Sequence, residues 1–256
     1  MGRAIIQGII GAGFTTAKSI AVGEPSANSR TWWTDNLPNV GVHAENWLVA
    51  EDADILILAV KPKMVVPVVS DLKKLARRCL LVSVAAGVNL ESLTKAFGGN
   101  RVVRVMPNTP CLVGQGASAF CCGDDVSEED AQTVQSMLSA VGFAVRIDES
   151  QIDAATGLSG SGPAYICMII EALADGGVLA GLPRDLAMQL ATQTVLGTAT
   201  LVKETGSHPA ALKDAVASPG GTTIAAIASL EQSGLRTAMI GAVKAAAKRS
   251  EEMSKT

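Results

Sequence analysis

Asp54-Ile55-Leu56-Ile57-Leu58-Ala59-Val60-Lys61-Pro62 decides the fold of this chain. Its aliphatic run has no polar face and stops at a Lys-Pro pair, so it reads as a strand buried on both faces of a parallel sheet. Leu80–Val84 and Val102–Met106 repeat the pattern, and Ser19–Val22 is a shorter version of it. Helical stretches fall between them at Ser26–Leu37, Lys63–Arg78 and Leu90–Phe97. Repeated βα units with short connections predict a Rossmann-like, doubly wound α/β domain. Ser118–Cys122 and Ala144–Ile147 complete its sheet around a helix at Ser127–Val141. That helix opens on Ser127-Glu128-Glu129-Asp130, a capping-box signature with a hydroxyl at N-cap and a carboxylate three residues on.

Beyond Glu149 the alternation stops and the pattern is all-helical. The reading is therefore two domains, residues 1–148 for the α/β part and 149–256 for the helical part. Ala187, Ala191, Thr194, Thr198 and Leu201 share one helical stripe, as do Leu235, Met239, Ala242, Val243 and Ala246. Pro183 suits the first turn of a new helix. Small residues at this spacing allow close helix–helix contact, and the scarcity of bulky ones suggests packing against a partner chain.

Composition narrows the function. The 256 residues are 48% hydrophobic and 18% charged with a formal net charge of −3, so no basic footprint for nucleic acid exists. No run of eighteen apolar residues and no signal peptide can be read, so the expectation is a soluble protein without a membrane partner. The short basic patches Lys73-Lys74, Arg77-Arg78 and Lys248-Arg249 read as solvated helix faces. Cys79, Cys111, Cys121, Cys122 and Cys167 lack CxxC spacing and are expected to be buried free thiols rather than metal ligands. Only His43 and His208 occur, which leaves little material for Ser-His or Cys-His catalysis.

Near the C-terminus stands Ala217-Ser218-Pro219-Gly220-Gly221-Thr222-Thr223, followed by a helical pattern. Glycines there free backbone N–H groups to face a ligand, and the first amides of a helix attract negative charge. Three strand ends point the same way: Lys61 after Ala59-Val60, Ala86 in Val84-Ala85-Ala86-Gly87, and Asn108 in Met106-Pro107-Asn108-Thr109-Pro110. Ligands of open α/β sheets bind at such ends. Gly11-Ala12-Gly13 is a poor dinucleotide loop, because Thr16 stands at the third glycine position and only eleven residues separate Gly13 from Glu24. It reads as the C-terminal turn of a helix.

AVKP, VSVAAGV, VMPNTP, TGLSGSGPAY, EALADGGV, GLPR and LKDAVASPGGTTIAAI together resemble pyrroline-5-carboxylate reductase, over essentially the whole chain. That resemblance implies reduction of Δ1-pyrroline-5-carboxylate to L-proline with NADPH or NADH, the last step of proline biosynthesis. It implies a nucleotide-binding domain, a helical dimerisation domain that makes a homodimer, and rings of dimers in some members. A cytoplasmic location follows, with mitochondria left open. Met1–Gly8 resembles the helix that follows the family's glycine loop, so the first strand and that loop are expected to be missing, with a slot in the sheet and weak cofactor binding.

By the same resemblance, Glu24, Asn46, Ala59, Lys61, Ala86 and Asn108 contact the cofactor. Gly220, Gly221 and Thr222, with Ser218, receive the substrate carboxylate, and Thr223 meets the ring nitrogen as the catalytic group. Ser159, Ser161 and the glycines of Gly157–Gly162 close the pocket, and Glu149 is a substrate-contacting acid. Ala215 stands where some relatives have Asn. A hydroxyacid dehydrogenase is the rival enzyme reading, but Ala164–Ala180 offers no Lys base. A cofactor-incompetent paralogue acting as an oligomer partner is the non-enzymatic alternative.

Overall fold

The computed structural model describes residues 1–256 apart from 73–78, 100, 255 and 256. In chain order the elements are α1 (Gly2–Gly11), β1 (Ala21–Gly23), α2 (Ala27–Asn36), β2 (Gly41–His43), α3 (Trp47–Ala50), β3 (Ile55–Leu58), α4 (Val65–Leu72), β4 (Leu80–Ser83), α5 (Leu90–Phe97) and β5 (Val102–Met106). There follow β6 (Gly116–Cys122), α6 (Glu128–Ser139), β7 (Gly142–Arg146), α7 (Ile152–Ala155), α8 (Gly162–Leu179), α9 (Arg184–Thr205), α10 (Pro209–Ala215), α11 (Thr222–Gln232) and α12 (Leu235–Ser254). Two compact units result: Met1–Ser161 with Ala245–Thr256, and Gly162–Lys244. The packing boundary thus falls later than Glu149, and the C-terminal end of α12 belongs with the first unit.

Alternation builds the first unit. Leu80 and Val82 of β4, Val103 and Val105 of β5 and Phe120 of β6 point to one face, where Ile5 and Ile9 of α1 and Val134, Met137 and Leu138 of α6 cover them. Leu81 and Val102 point to the other face, against Val65 and Val69 of α4 and Leu93 and Phe97 of α5. Each fully buried aliphatic side chain is worth about 1.5–3 kcal/mol, so two apolar faces force helices onto both sides. The fold is the expected doubly wound one.

β3, β4 and β5 are parallel in register Ile55↔Leu80 and Leu81↔Val102. β6 runs antiparallel to β5, and β7 parallel to β6. The short 3₁₀ turn Thr109–Val113 between β5 and β6 is too brief for the crossover a parallel pair needs. β1 and β2 form a separate parallel pair, and no strand joins β1 to β3 among the described residues. Ile20, Ile55 and Ile57 pack against the cluster that holds Ile5 and Ile9.

Some boundaries differ from the sequence reading. The expected strand Ser19–Val22 starts later, because Ala17–Ser19 forms a 3₁₀ turn in which Ile20 N–H donates to the Ala17 carbonyl. The long helix expected at Lys63–Arg78 is a 3₁₀ turn, Pro62–Met64, followed by α4, and its part at 73–78 lies outside the described residues. Pro183 is the N-cap of α9 rather than a residue of its first turn. Of the two helical stripes, only Ala187 and Ala191 are buried, since the second unit alone has no second layer to cover the rest.

The capping box forms as read: Ser127 Oγ accepts from Asp130 N–H at 3.1 Å, and Asp130 Oδ2 accepts from Ser127 N–H at 3.3 Å. Ser127→Ala should cost about 1 kcal/mol in urea unfolding, with an unchanged slope.

Candidate active site

Parallel strands place their C-terminal ends on one edge, and four expected cofactor residues follow such ends. Ala59 and Lys61 succeed β3, Ala86 succeeds β4 and Asn108 succeeds β5. Lys61 is exposed and makes no ion pair among the described residues. The N-terminus of α1 is beside this edge, close enough that a Cβ on Gly2 would sit 3.1 Å from Ala59 Cβ. Free first-turn amides and an exposed ammonium suit a pyrophosphate. Gly11-Ala12-Gly13 does not serve that purpose: the Ala12, Gly13 and Phe14 N–H groups all donate back to carbonyls of α1. It is the helix C-terminal turn expected, with Gly13 at φ +70°.

Glu24 and Asn46 follow β1 and β2. They meet around Gly23, where a side chain would collide with Asn46 Oδ1 and its Cα. Glu24 Oε1 accepts from Ser26 N–H at 3.0 Å, and Arg30 donates to the Glu24 and Pro25 carbonyls at 2.9 and 2.7 Å.

Asn108 is buried and structurally committed. Its Oδ1 accepts from Ala117 N–H at 2.8 Å and its Nδ2 donates to the Ser159 carbonyl at 3.1 Å. The side chain therefore ties the β5 strand end to the start of β6 and to the π-turn Thr156–Gly160. Sequence reasoning saw a ligand contact and missed this clamp, since its partners lie far away along the chain.

Glu149 Oε1 likewise has partners, Leu90 N–H at 2.6 Å and Arg104 Nη1 at 3.2 Å. Arg104 itself is only 4% exposed and was not singled out by sequence.

In the second unit the glycine turn has the predicted form. Gly220 sits at φ +66°, Gly221 is the N-cap of α11, and Thr222 and Thr223 occupy its first turn. Gly221 N–H is spent on the Ser218 carbonyl at 3.1 Å, so the amides left for an anion are those of Gly220, Thr222 and Thr223. A side chain at Gly221 would meet Ser218 Oγ, which would have to turn aside. His208, given no role by the sequence, caps α10 by accepting Ala210 N–H on Nδ1 at 3.2 Å.

Thiol chemistry has no foothold in the first unit. Burial, with Glu149 nearby, pushes the Cys121 thiol up to about 12, and burial also raises Cys79 and Cys122. Cys167, expected buried, is exposed on α8 because no described residue covers that helix face.

A doubly wound sheet with candidate ligand residues at its strand ends, together with a helical segment that has free amides at the mouth of α11, suits a two-part nicotinamide-dependent oxidoreductase. A family model described as "Pyrroline-5-carboxylate reductase dimerisation" matches residues 149–253, and one described as "NADP oxidoreductase coenzyme F420-dependent" matches residues 1–87. The pyrroline-5-carboxylate reductase of Arabidopsis thaliana is 47% identical over 257 residues, covering 100% of this chain and 93% of that protein. The solved reductase from Coxiella burnetii matches with TM-score 0.92 at 36% identity, covering 100% of this chain and 95% of that one. The Plasmodium falciparum reductase, solved with NADP bound, matches with TM-score 0.89 at 34% identity over 99% and 94% of the two chains. The chain belongs to the pyrroline-5-carboxylate reductase family.

Asn108→Ala leaves buried backbone groups without partners and should lower stability by about 2 kcal/mol in urea unfolding. The exposed Asn28→Ala should stay within about 0.5 kcal/mol of wild type.

Proposed function

We propose that this chain reduces Δ1-pyrroline-5-carboxylate to L-proline with NAD(P)H. The observation that carries the reading is the mouth of α11, where Gly220, Thr222 and Thr223 hold unspent amides beside two hydroxyls. A carboxylate is the natural guest for such amides. Thr223 then stands one residue further into the helix, where its hydroxyl holds the proton that the ring nitrogen receives. The cofactor, when bound, supplies the hydride that the imine carbon accepts.

A protonated cyclic imine is already electrophilic, so no strong base is required of the protein. Its task is alignment, which can supply about 7–11 kcal/mol of barrier lowering. Lys61, the first-turn amides of α1 and the small side chains of Ala59 and Ala86 would hold the dinucleotide. Glu24 and Asn46 would meet its ribose end, and Asn108 would keep the neighbouring turn rigid. Ser218 shapes the carboxylate turn by filling the space beside Gly221. Glu149 has one oxygen shared between Arg104 and Leu90, so that oxygen is committed within the first unit.

The second unit supports a homodimer. Its buried side chains are Ala174, Ala187 and Ala191, while Leu179, Met168 and Ile240 stay 92%, 69% and 61% exposed. An open groove of about 440 Å³ runs along α11 and α12, lined by Ile227, Leu230, Leu235, Met239 and Ile240. Glu149–Leu179 is apolar and long enough to cross a bilayer by composition alone. Its place within the dimerisation match favours a second copy of the chain as its cover. We place such a dimer in an aqueous compartment, the cytoplasm or an organelle matrix.

Oxidation of NADPH at 340 nm, dependent on pyrroline-5-carboxylate and accompanied by proline formation, is the decisive assay. A chain that forms dimers without turnover would instead be the non-catalytic assembly partner. Thr223→Ala should lower kcat by roughly 100-fold or less with dimerisation intact. Ile240→Asp should shift the sedimentation coefficient from dimer toward monomer, because an unpaired charge in an apolar interface costs several kcal/mol.

A further inference from the structure

A buried guanidinium on a largely apolar sheet face calls for a reason. Arg104 lies on the β5 face opposite Val103 and Val105, beside Cys121 of β6. Its Nη1 reaches Glu149 Oε1 at 3.2 Å and its Nη2 lies 3.7 Å from Asp153 Oδ1. Stability alone does not require this arrangement, since well-packed apolar residues often replace buried ion pairs without loss.

The two carboxylates lead to different segments. Glu149 Oε1 also accepts the Leu90 N–H at 2.6 Å, which fixes the start of α5. Asp153 Oδ1 also accepts from Ser250 Oγ at 2.6 Å, which fixes the last turns of α12. Those two segments touch each other. Asn89 Nδ2 donates to the Ser254 carbonyl at 3.5 Å, and Met253 packs so near Gly87 that a Cβ there would lie 3.1 Å from Met253 Cβ. Gly87 is at φ +72°, so the loop leaving β4 takes a shape that a larger residue would strain. The loop held in this way, Val84–Asn89, includes Ala86.

We propose that Arg104 is a positioning residue for the cofactor: through Glu149 and Asp153 it sets the β4–α5 loop against the end of α12 and thereby the place of Ala86. The inference rests on the reading above that Ala86 lines the cofactor site. Arg104 touches neither cofactor nor substrate. It acts through the loop, and Ser250 and Met253 act from the far side of the same contact. A hydrogen-bonded network with every member engaged holds a single geometry more firmly than apolar contacts, which tolerate sliding.

Arg104→Lys, Ser250→Ala and Met253→Ala in the full chain test this, with Ser127→Ala as a control that loses comparable stability far from the loop. KM for NADPH, KM for the imino acid, kcat and Tm are measured for each, and the Kd of NADPH is measured by fluorescence titration. The expected result is a rise of about three- to tenfold in KM and Kd for NADPH in the three loop variants, with KM for the imino acid within about twofold. Ser127→Ala should lower Tm without moving either NADPH constant. The double variant Arg104→Lys/Ser250→Ala should be no worse than the poorer single one, because both break one chain of contacts. NADPH constants unchanged in Ser250→Ala and Met253→Ala while the wild type binds NADPH would overturn the inference alone. A wild-type chain that neither binds nor oxidises NADPH would overturn the parent reading and this inference with it.

Discussion

Strands that are apolar on both sides dictate how the first unit is built. β4 and β5 expose no polar side face, so α1 and α6 must cover one side and α4 and α5 the other. Once both faces are sealed, a polar group on these strands has few places to be other than the strand ends. Lys61, Ala86 and Asn108 are functional candidates for that reason before any comparison is made. Ligands of such open α/β sheets bind at the rim because the interior has no room for them. The helical unit differs, offering a turn of spare amides at the mouth of α11 and leaving much of its apolar surface exposed.

Arg104 departs from this scheme, and its exception is informative. A charge inside an apolar layer persists only where its partners are arranged around it, and here those partners come from a 3₁₀ turn and helices remote in sequence. Asn108 plays a neutral version of the same part, each end of its amide closing a backbone gap. Rigid support under a mobile ligand is a common need in enzymes whose main task is alignment.

The sequence was most readable where local pattern and global burial agree. β3, β4 and β5 are aliphatic apart from Ser83, Arg104 and Met106 because both faces are buried, and α5 and the α6 capping box emerge from local signals alone. β2 escaped notice, since Gly41-Val42-His43 is three residues with no periodicity. The antiparallel turn of β6 was equally hidden, being a matter of how little chain lies between Met106 and Gly116. In the site, the glycine turn at 218–223 was legible because helix starts are written in adjacent residues. Arg104 was not, since a buried arginine and an exposed one look the same until distant acids are brought to it. The burial of Cys79, Cys111 and Cys121 followed from their apolar neighbours, whereas Cys167 sits on a helix whose cover is absent from a single chain.

The gap between β1 and β3 has a thermodynamic side. The β1–β2 pair hangs on the rest of the unit through side-chain packing around Ile20 and the neighbouring helices, without a ladder of backbone bonds across to β3. Cooperativity in a sheet travels through such ladders, so this corner forms a separate opening unit with its own, smaller free energy. Its amides should trade hydrogen for deuterium well before those of β4 and β5. The corner that carries Glu24 and Asn46 is then the part that breathes, while β4 and β5 stay closed.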